Sequence, residues 1–259
     1  MKHLKNICRG LLIAAFWIFI WWLASFFFGN ELLFPSPLTV LLALWELLKT
    51  AEFYLSTLRS LSNILAGLLI AITGATLTAA LTHRITLLRD LLTPLMTVIK
   101  ATPVASFIIL ALIFIGAARV PVFISVLIVF PVVWTNLDEG LSKIDPQLSE
   151  VATVYRFSPM KRLRLLILPS VKPYFLSACR TSLGLAWKAG IAAEILAMPP
   201  RTIGTEIADA KAYIEVPEMF AWTLTVILLS LLIEFSLVKL LERIGSGNAV
   251  ERRKPHAEA

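Results

Sequence analysis

The sequence predicts an all-α membrane protein, a polytopic bundle of about six transmembrane helices. Hydrophobic residues make up 58% of the 259 residues and charged residues only 16%. The mean hydropathy of +0.82 exceeds what the core of a water-soluble domain requires. Several uncharged runs approach the ~20 residues that a helix needs to cross the hydrocarbon layer. We therefore expect a helical bundle in a lipid bilayer.

The first uncharged run, Gly10 to Asn30, follows Lys2, Lys5 and Arg9, so a cleaved signal peptide is the alternative to a true span. The run exceeds the ~7–15 apolar residues of a signal peptide. It stays bulky with Phe and Trp to its end, and no small-x-small cleavage site follows it. We expect a retained span, preceded by a cytoplasmic N-terminal tail of residues 1–9.

Five further spans follow along the chain. They are Ser60 to Thr82, Leu91 to Gly116, Val120 to Leu137, Pro173 to Ala197 and Met219 to Leu241. Together the spans predict a transmembrane domain at residues 10–244, followed by a cytoplasmic tail at 245–259 whose polar composition predicts disorder. After the helix-breaking Phe34-Pro-Ser-Pro37, the apolar spacing from Leu38 to Leu48 predicts an interfacial helix.

An even number of spans places both termini on one side of the membrane. The loops and tails on that side hold most of the Lys and Arg residues, whereas the other side holds few, such as Arg201 and Lys211. The positive-inside rule then puts both termini in the cytoplasm. Because the formal charge of +7 is spread over loops and tails, we expect contact with lipid headgroups and not with nucleic acid.

A loop from Asp138 to Lys172 is far longer than two antiparallel helices need for their connection. Asp145-Pro146 is a helix start signal, because Asp caps free amides and Pro tolerates the first turn. The helix can continue from Gln147 to Tyr155. After a turn, a second, basic helical segment from Met160 to Ile167 should end at Pro169. The sequence predicts two short helices at the membrane surface.

The second half of this loop resembles the EAA loop of ABC importer permeases. Glu150 and Ala152 occupy the first and third positions of that motif, and Leu168-Pro169 matches its end. Val151 replaces the central Ala. Arg156 stands where the motif has Gly, which puts the turn geometry in question, because Gly permits backbone conformations that Arg avoids.

Three other segments carry the same resemblance, in an order and spacing that are specific together. They are Thr57-Leu-Arg-Ser60, Lys100-Ala-Thr-Pro-Val-Ala105 and Ala186-Trp-Lys-Ala-Gly-Ile-Ala-Ala-Glu194. The resemblance extends from the first span through Glu234 and is closest to the subgroup that serves nitrate, sulfonates and taurine. It implies a MetI-like permease fold in the bacterial cytoplasmic membrane.

In such permeases the loop, about residues 138–172 here, contains the coupling helix, which docks in a groove of a cytoplasmic ATPase. The resemblance assigns docking to Glu150, Val151, Ala152, Thr153, Tyr155, Arg156, Phe157, Leu168 and Pro169. It also implies a second permease copy, two cytoplasmic ABC ATPases that hold ATP and Mg, and an extracytoplasmic solute-binding protein. The alternative is an amphipathic loop that binds anionic lipid.

Charges inside the predicted spans need an explanation, because a buried charge in a membrane costs at least ~2.5–3.5 kcal/mol on insertion scales. At about 3.6 residues per turn, Arg180, Gly184 and Lys188 recur every four positions and share one stripe of the fifth span. That stripe should face the bundle or a cavity. Glu194 lies off the stripe.

A functional interpretation places four residues along a solute pathway. Lys100 and Lys188 would form electropositive walls, Pro103 would break the third span, and Glu194 would lie nearby. Such a pathway suits a small anionic solute. The structural alternative is that the two Lys residues pair with carboxylates such as Glu194, while Arg180 extends to the inner surface.

The chain lacks the Gly-x-x-x-x-Gly-Lys-Ser/Thr loop that binds ATP phosphates, and its three His and two Cys residues form no metal-binding pattern. We expect no cofactor, no metal and no enzymatic activity in this chain. Two other classes stay open. An ion-coupled secondary transporter should show inverted repeats or paired acidic residues, and a membrane-embedded enzyme needs convergent catalytic groups; neither set is evident.

Overall fold

A computed structural model describes residues 2–31 and 33–246 of the chain. These residues form helices and turns and contain no strand, which confirms the all-α prediction. The helices are α1 (Lys2–Phe28), α2 (Pro37–Leu47), α3 (Ala51–Thr82), α4 (Thr86–Ala101), α5 (Val104–Ile115), α6 (Val120–Ser142), α7 (Pro146–Val154), α8 (Pro159–Arg162), α9 (Leu168–Ala197), α10 (Ile203–Ala212) and α11 (Val216–Ser246). Most of the predicted disordered tail, residues 247–259, lies outside the described residues.

Within the described residues, three helices are long and apolar enough to cross a membrane: α3, α6 with the turn before it, and α11 up to Ser236. The pair α4 and α5 adds a fourth if both halves count as one span. α1 contains a shorter apolar stretch, Leu12–Phe28. α9 has 30 residues, but it carries the charged stripe of the predicted fifth span. Each predicted span therefore coincides with a helix or a helix pair.

The predicted third span, Leu91 to Gly116, is not one helix. α4 ends at Ala101, α5 begins at Val104, and the two helices meet at an angle of 104°. Pro103 has no amide hydrogen and clashes with a helical conformation of the residue before it. Thr102 accordingly has the extended backbone angles φ −83° and ψ 135°. The predicted break of the third span at Pro103 is thus confirmed.

Two helix starts also differ from the sequence prediction. α1 begins at Lys2, so the predicted N-terminal tail continues the first span as helix, and no Pro or Gly precedes Gly10 to interrupt it. α3 begins at Ala51, where the Thr50 hydroxyl accepts a hydrogen bond from the amide of Phe53 at 3.3 Å. Apolar runs predict only the membrane-embedded part of a helix, and both helices extend beyond it.

The core of the bundle is a close crossing of α3, α6 and α9. A Cβ atom on Gly67 of α3 would lie 2.6 Å from the Cβ of Ser125 on α6, and one on Gly190 of α9 would lie 2.5 Å from Cγ1 of Ile64. Only small residues allow helices to approach this closely. Around the crossing, side chains such as Val133 are fully buried. α6 lies between the other two helices.

Short helices cover both ends of this bundle. α7 and α8 lie between α6 and α9 at one end, which we call the loop end. α2 and α10 lie at the opposite end, where Trp21 of α1 donates from Nε1 to the carbonyl of Pro35 at 3.1 Å and its ring stacks on Phe220 of α11. The predicted helix at Leu38 to Leu48 is confirmed by α2, which leaves Trp45 exposed.

The Gly67→Ala substitution should destabilise the bundle by about 1–3 kcal/mol, because the added methyl group overpacks the α3–α6 contact. The matched control is Gly184→Ala on α9, where a Cβ meets nothing within 4 Å and Ala gains about 0.5–1 kcal/mol over Gly in a helix. Thermal unfolding of the purified chain in detergent measures both. Equal unfolding temperatures for the two variants would contradict the proposed crossing.

Candidate functional site

The first helix of the long loop forms as predicted. Asp145 caps α7, because its carboxylate accepts a hydrogen bond from the amide of Gln147 at 2.8 Å, and Pro146 occupies the first turn. Ala152 is buried, with 4% of its surface exposed. Glu150 and Thr153 point outward and are exposed. α7 therefore buries the motif Ala and exposes the motif Glu.

The turn after α7 is a Schellman motif centred on Arg156. The amide of Phe157 donates to the carbonyl of Ala152 at 2.9 Å, and the amide of Arg156 donates to the carbonyl of Thr153 at 3.0 Å. This arrangement places the residue after the helix cap in the left-handed region, where Gly is usual, and Arg156 has φ 47°. The motif geometry is thus kept although the Gly is absent.

The left-handed conformation costs a non-Gly residue roughly 1–2 kcal/mol. The Arg156 side chain is exposed, and it forms no ion pair with the part of the chain that the structure describes. Nothing within these residues therefore offsets the backbone cost through this side chain.

The second segment of the loop differs from the prediction. α8 is followed by five π-helical residues, 163–167, which continue directly into α9. Pro169 therefore does not end a helix but lies in the first turn of α9, and Leu168 beside it is exposed. A Pro ring clashes with the carbonyl four residues earlier, which is that of Leu165 in the π-helical stretch. The wider turn accommodates this clash without breaking the helix.

Two contacts that the sequence analysis missed hold the loop together. Arg162 of α8 donates from Nη2 to the Ser149 hydroxyl of α7 at 2.7 Å. The Nζ atom of Lys161 lies 4.3 Å from the ring centroid of Phe157, within the range of a cation–π interaction. Because these partners are 13 and 4 residues apart across a turn, helical spacing gives no signal for them. α7, the turn at Arg156 and α8 with the π-helical residues that follow it thus form a helical hairpin, which these two contacts hold together and which we call the braced hairpin.

The outer surface of this hairpin combines apolar and basic side chains. Val151, Val154 and Tyr155 are 47%, 77% and 73% exposed. The same loop also exposes four basic residues: Arg156, Lys161, Arg162 and Arg164. Apolar side chains grouped on a surface in this way indicate contact with a partner or a membrane.

A second feature of the loop end is an ion pair between α4 and α6. Arg89 donates from Nη2 to Oδ2 of Asp138 at 2.7 Å and from Nε to the same oxygen at 3.2 Å, and Nη2 also reaches the Ser142 hydroxyl at 3.3 Å. Asp138 is only 16% exposed. The ion pair holds the start of α4 against the end of α6, from which the long loop continues. The sequence analysis used Asp138 only as the start of the long loop and predicted no contact between it and Arg89.

The predicted charged stripe of α9 is present on an open face. Arg180, Gly184 and Lys188 are all exposed in the single chain, and Gly184 borders a groove whose other side is formed by α11. Lys100, at the end of α4, donates from Nζ to the Thr135 hydroxyl of α6 at 3.3 Å. Among the described residues, neither Lys100 nor Lys188 pairs with a carboxylate.

Glu194 occupies a different environment. Its side chain is fully buried, and its Oε2 atom accepts hydrogen bonds from the Ser60 hydroxyl at 2.7 Å and from the amide of Gly204 at 3.2 Å. The structural alternative in which Lys100 or Lys188 pairs with Glu194 is therefore wrong. The structure brings the predicted docking residues together but does not gather the four predicted pathway residues into one cluster.

Comparison with known proteins identifies the family. Residues 63–245 match the family of binding-protein-dependent transport system inner membrane components. The chain belongs to this family. The resemblance to ABC importer permeases is thereby confirmed, and the protein is an inner membrane component. The match includes the whole loop, the α4–α5 break and the α9 stripe.

Individual relatives cover different parts of the permease. A putative aliphatic sulfonates transport permease of Bacillus subtilis is 27% identical over 241 residues, which is 91% of this chain and 85% of the relative. A nitrate import permease of Synechococcus elongatus is 28% identical over 68% of this chain and 67% of its own length. A bicarbonate transport system permease of Synechocystis is 32% identical over 60% of this chain and 55% of its own length.

Two substitutions at Arg156 test the left-handed turn of this permease. Arg156→Gly should preserve the Schellman motif, whereas Arg156→Val should loosen it by about 1–2 kcal/mol, because a branched side chain fits poorly at positive φ. Both variants lose the same charge, so each controls for the other. The rate at which proteinase K cuts the loop should be slower in the Gly variant. Indistinguishable rates would show that residue 156 does not adopt this conformation.

Proposed function

We propose that this permease is the membrane subunit of an ATP-driven importer for small anionic solutes of the sulfonate, nitrate and bicarbonate type. The observation that carries the proposal is the braced hairpin of the loop. It keeps the Schellman turn of the motif at Arg156 and exposes Val154 and Tyr155 to a partner. Family membership and the names of the relatives support the solute class.

The partner that fits the hairpin is a cytoplasmic ATPase. The apolar centre around Tyr155 supplies area that desolvation makes favourable, and the surrounding Arg156, Lys161 and Arg164 suit a groove with an acidic rim. Glu150, on the exposed face of α7, adds a negative charge to this basic surface and so favours one orientation of the ATPase. ATP and Mg belong to that partner, and closure of its groove would move α7.

The pathway itself requires a second copy of the chain. Lys188 on this stripe is exposed in one chain and pairs with no carboxylate among the described residues, yet charged residues of membrane helices face a protein interior or a water-filled cavity. A homodimer with the stripes turned toward a shared central space meets that requirement. Lys188, with Lys100 and the break at Pro103, would then give this space a positive potential that suits an anion.

The orientation follows from the positive charge of the loop end. We place that end and both termini in the cytoplasm, and we place α2 and α10 outside. A soluble binding protein would then deliver the solute to the α10 end. The ATPase and the solute-binding protein would therefore contact opposite ends of the same helical bundle.

Co-purification tests the ATPase partner. The tagged chain is purified from its host in mild detergent, beside Glu150→Arg and Asp90→Arg variants, and the accompanying proteins are identified by mass spectrometry. Asp90 is exposed near the start of α4 and controls for charge reversal at the same end. We expect an ATPase with the parent and the control, and at least about 30-fold weaker association with Glu150→Arg, because loss of a charged interface contact commonly costs 2–5 kcal/mol.

Two results would contradict this part of the proposal. Absence of an ATPase beside a folded, dimeric parent chain would favour an ion-coupled secondary transporter. Full retention of the ATPase by Glu150→Arg would show that the exposed face of α7 is not the docking surface.

Uptake measurements test the pathway. In host cells that carry a Lys188→Gln variant, entry of labelled taurine, nitrate or bicarbonate should fall about tenfold for whichever solute the parent imports, since a hydrogen bond to a charged group contributes about 1.5–3 kcal/mol. Lys188→Arg should retain most uptake. The control is Lys239→Gln on α11, where Nζ lies 4.1 Å from the ring centroid of Phe235. Unchanged uptake in Lys188→Gln, with the ATPase still bound, would exclude Lys188 from the pathway.

A further inference from the structure

The outer-end helix α10 is attached to the bundle by a buried polar cluster. Oε2 of Glu194, near the end of α9, accepts from the Ser60 hydroxyl of α3 and from the amide of Gly204 in the first turn of α10. The Ser60 oxygen in turn accepts from the amide of Ile203 at 2.8 Å. Two of the free amides at the start of α10 are therefore bound by side chains from two different long helices.

A second contact continues the attachment along α10. The Ser56 hydroxyl, one turn before Ser60 on α3, donates to Oε1 of Glu206 at 2.9 Å. Burial raises the pKa of the Glu206 carboxyl above its ordinary value. On the exposed side of the same turn, Arg201 lies 3.6 Å from a carboxylate oxygen of Glu52. α10 is thus held at its first turn and along one side.

α9 and α10 pack in close backbone contact at Gly204. A Cβ atom on Gly204 would overlap with the Cβ of Glu194, so only Gly allows the amide to reach the carboxylate. The connecting turn is constrained as well, with Met198 at φ 50° and Arg201 at φ 56°. Strained backbone of this kind persists where the surrounding structure holds it in place.

Burial of the Glu194 carboxyl group lowers the stability of the fold relative to an apolar side chain at this position. Glu194 has no exposed surface, and its carboxyl group interacts with Ser60, the Gly204 amide and the Asn63 side chain. A carboxylate in an apolar environment is unfavourable unless hydrogen bonds compensate for the lost water, and an apolar side chain would avoid that cost. The benefit of Glu194 must therefore lie in what it connects.

α9 connects this cluster to the other end of the molecule. It runs as one helix from Leu168 to Ala197, and the π-helical stretch before it continues without a break from α8 of the hairpin. We propose that Glu194 is a positioning residue that fastens α10 to α9, so that movement of the hairpin on ATP binding is transmitted to the surface at the α10 end. This inference rests on the proposed function.

A reporter on α10 tests the transmission. In a background of Cys8→Ala and Cys179→Ala, the exposed Lys211 is replaced by Cys, and its labelling rate with a maleimide is measured in the complex purified with its ATPase. The quantity is the ratio of rates with ATP plus vanadate and without nucleotide. With Glu194 present this ratio should differ from one by about fivefold or more, the usual lower range of coupling between sites.

Four variants separate the role of Glu194 from simple loss of folding. Glu194→Ala and Ser60→Ala should bring the ratio to one while the ATPase stays bound. Glu194→Gln should retain the response, because its amide oxygen still accepts both hydrogen bonds. Gly204→Ala removes no polar group but pushes α10 away, and it should also abolish the response. Leu196→Ala, half exposed on the adjacent turn of α9, is the control and should respond normally.

The outcomes are distinct from those of the proposed function. If no ATPase accompanies the parent chain, the importer proposal fails first. If the ATPase is bound but the reporter ratio is one with Glu194 intact, α10 does not follow the hairpin and the inference is wrong. A normal response in folded Glu194→Ala and Gly204→Ala complexes would likewise overturn it.

Discussion

The close crossing of α3, α6 and α9 is the constraint on which the rest of the structure depends. Gly67 and Gly190 bring the three backbones together around Ser125, and no hydrophobic effect drives such contacts between helices in lipid, where packing and hydrogen bonds must suffice. The crossing fixes α6 between its neighbours. It thereby sets where α6 delivers the long loop and where α9 receives it, so the hairpin at one end and the Glu194 cluster at the other share one rigid reference.

The sequence predicted the parts of this fold that depend on local chemistry. Apolar run length located every long helix, Asp145-Pro146 located the start of α7, and Pro103 located the break between α4 and α5. The prediction failed at Pro169, because a proline is compatible with two different local structures. Pro169 was expected to end a helix, but a proline is also tolerated in a first turn, and the π-helical stretch before it made the continuous helix possible.

Tertiary contacts of the site were beyond sequence reasoning. Ser60 and Glu194 are 134 residues apart, and Arg89 and Asp138 are 49 apart, so no helical period relates them. The opposite holds for Arg156. The absence of the motif Gly left the backbone conformation of the turn open. The structure explains why Gly is favoured there, because the Schellman motif requires positive φ. Arg156 adopts this conformation at a cost in backbone free energy.

The bend at Pro103 has a consequence for the hydration of the membrane. α5 has 12 residues and is therefore about 18 Å long at 1.5 Å per residue, well short of the ~30 Å hydrocarbon thickness. Because α4 and α5 meet at 104°, the two helices also cannot cross that thickness as one straight rod. Unpaired peptide groups are not tolerated against lipid tails. Non-helical backbone at membrane depth is tolerated only against protein or a water-filled cavity, so the bend favours a side of the bundle that lipid tails do not cover.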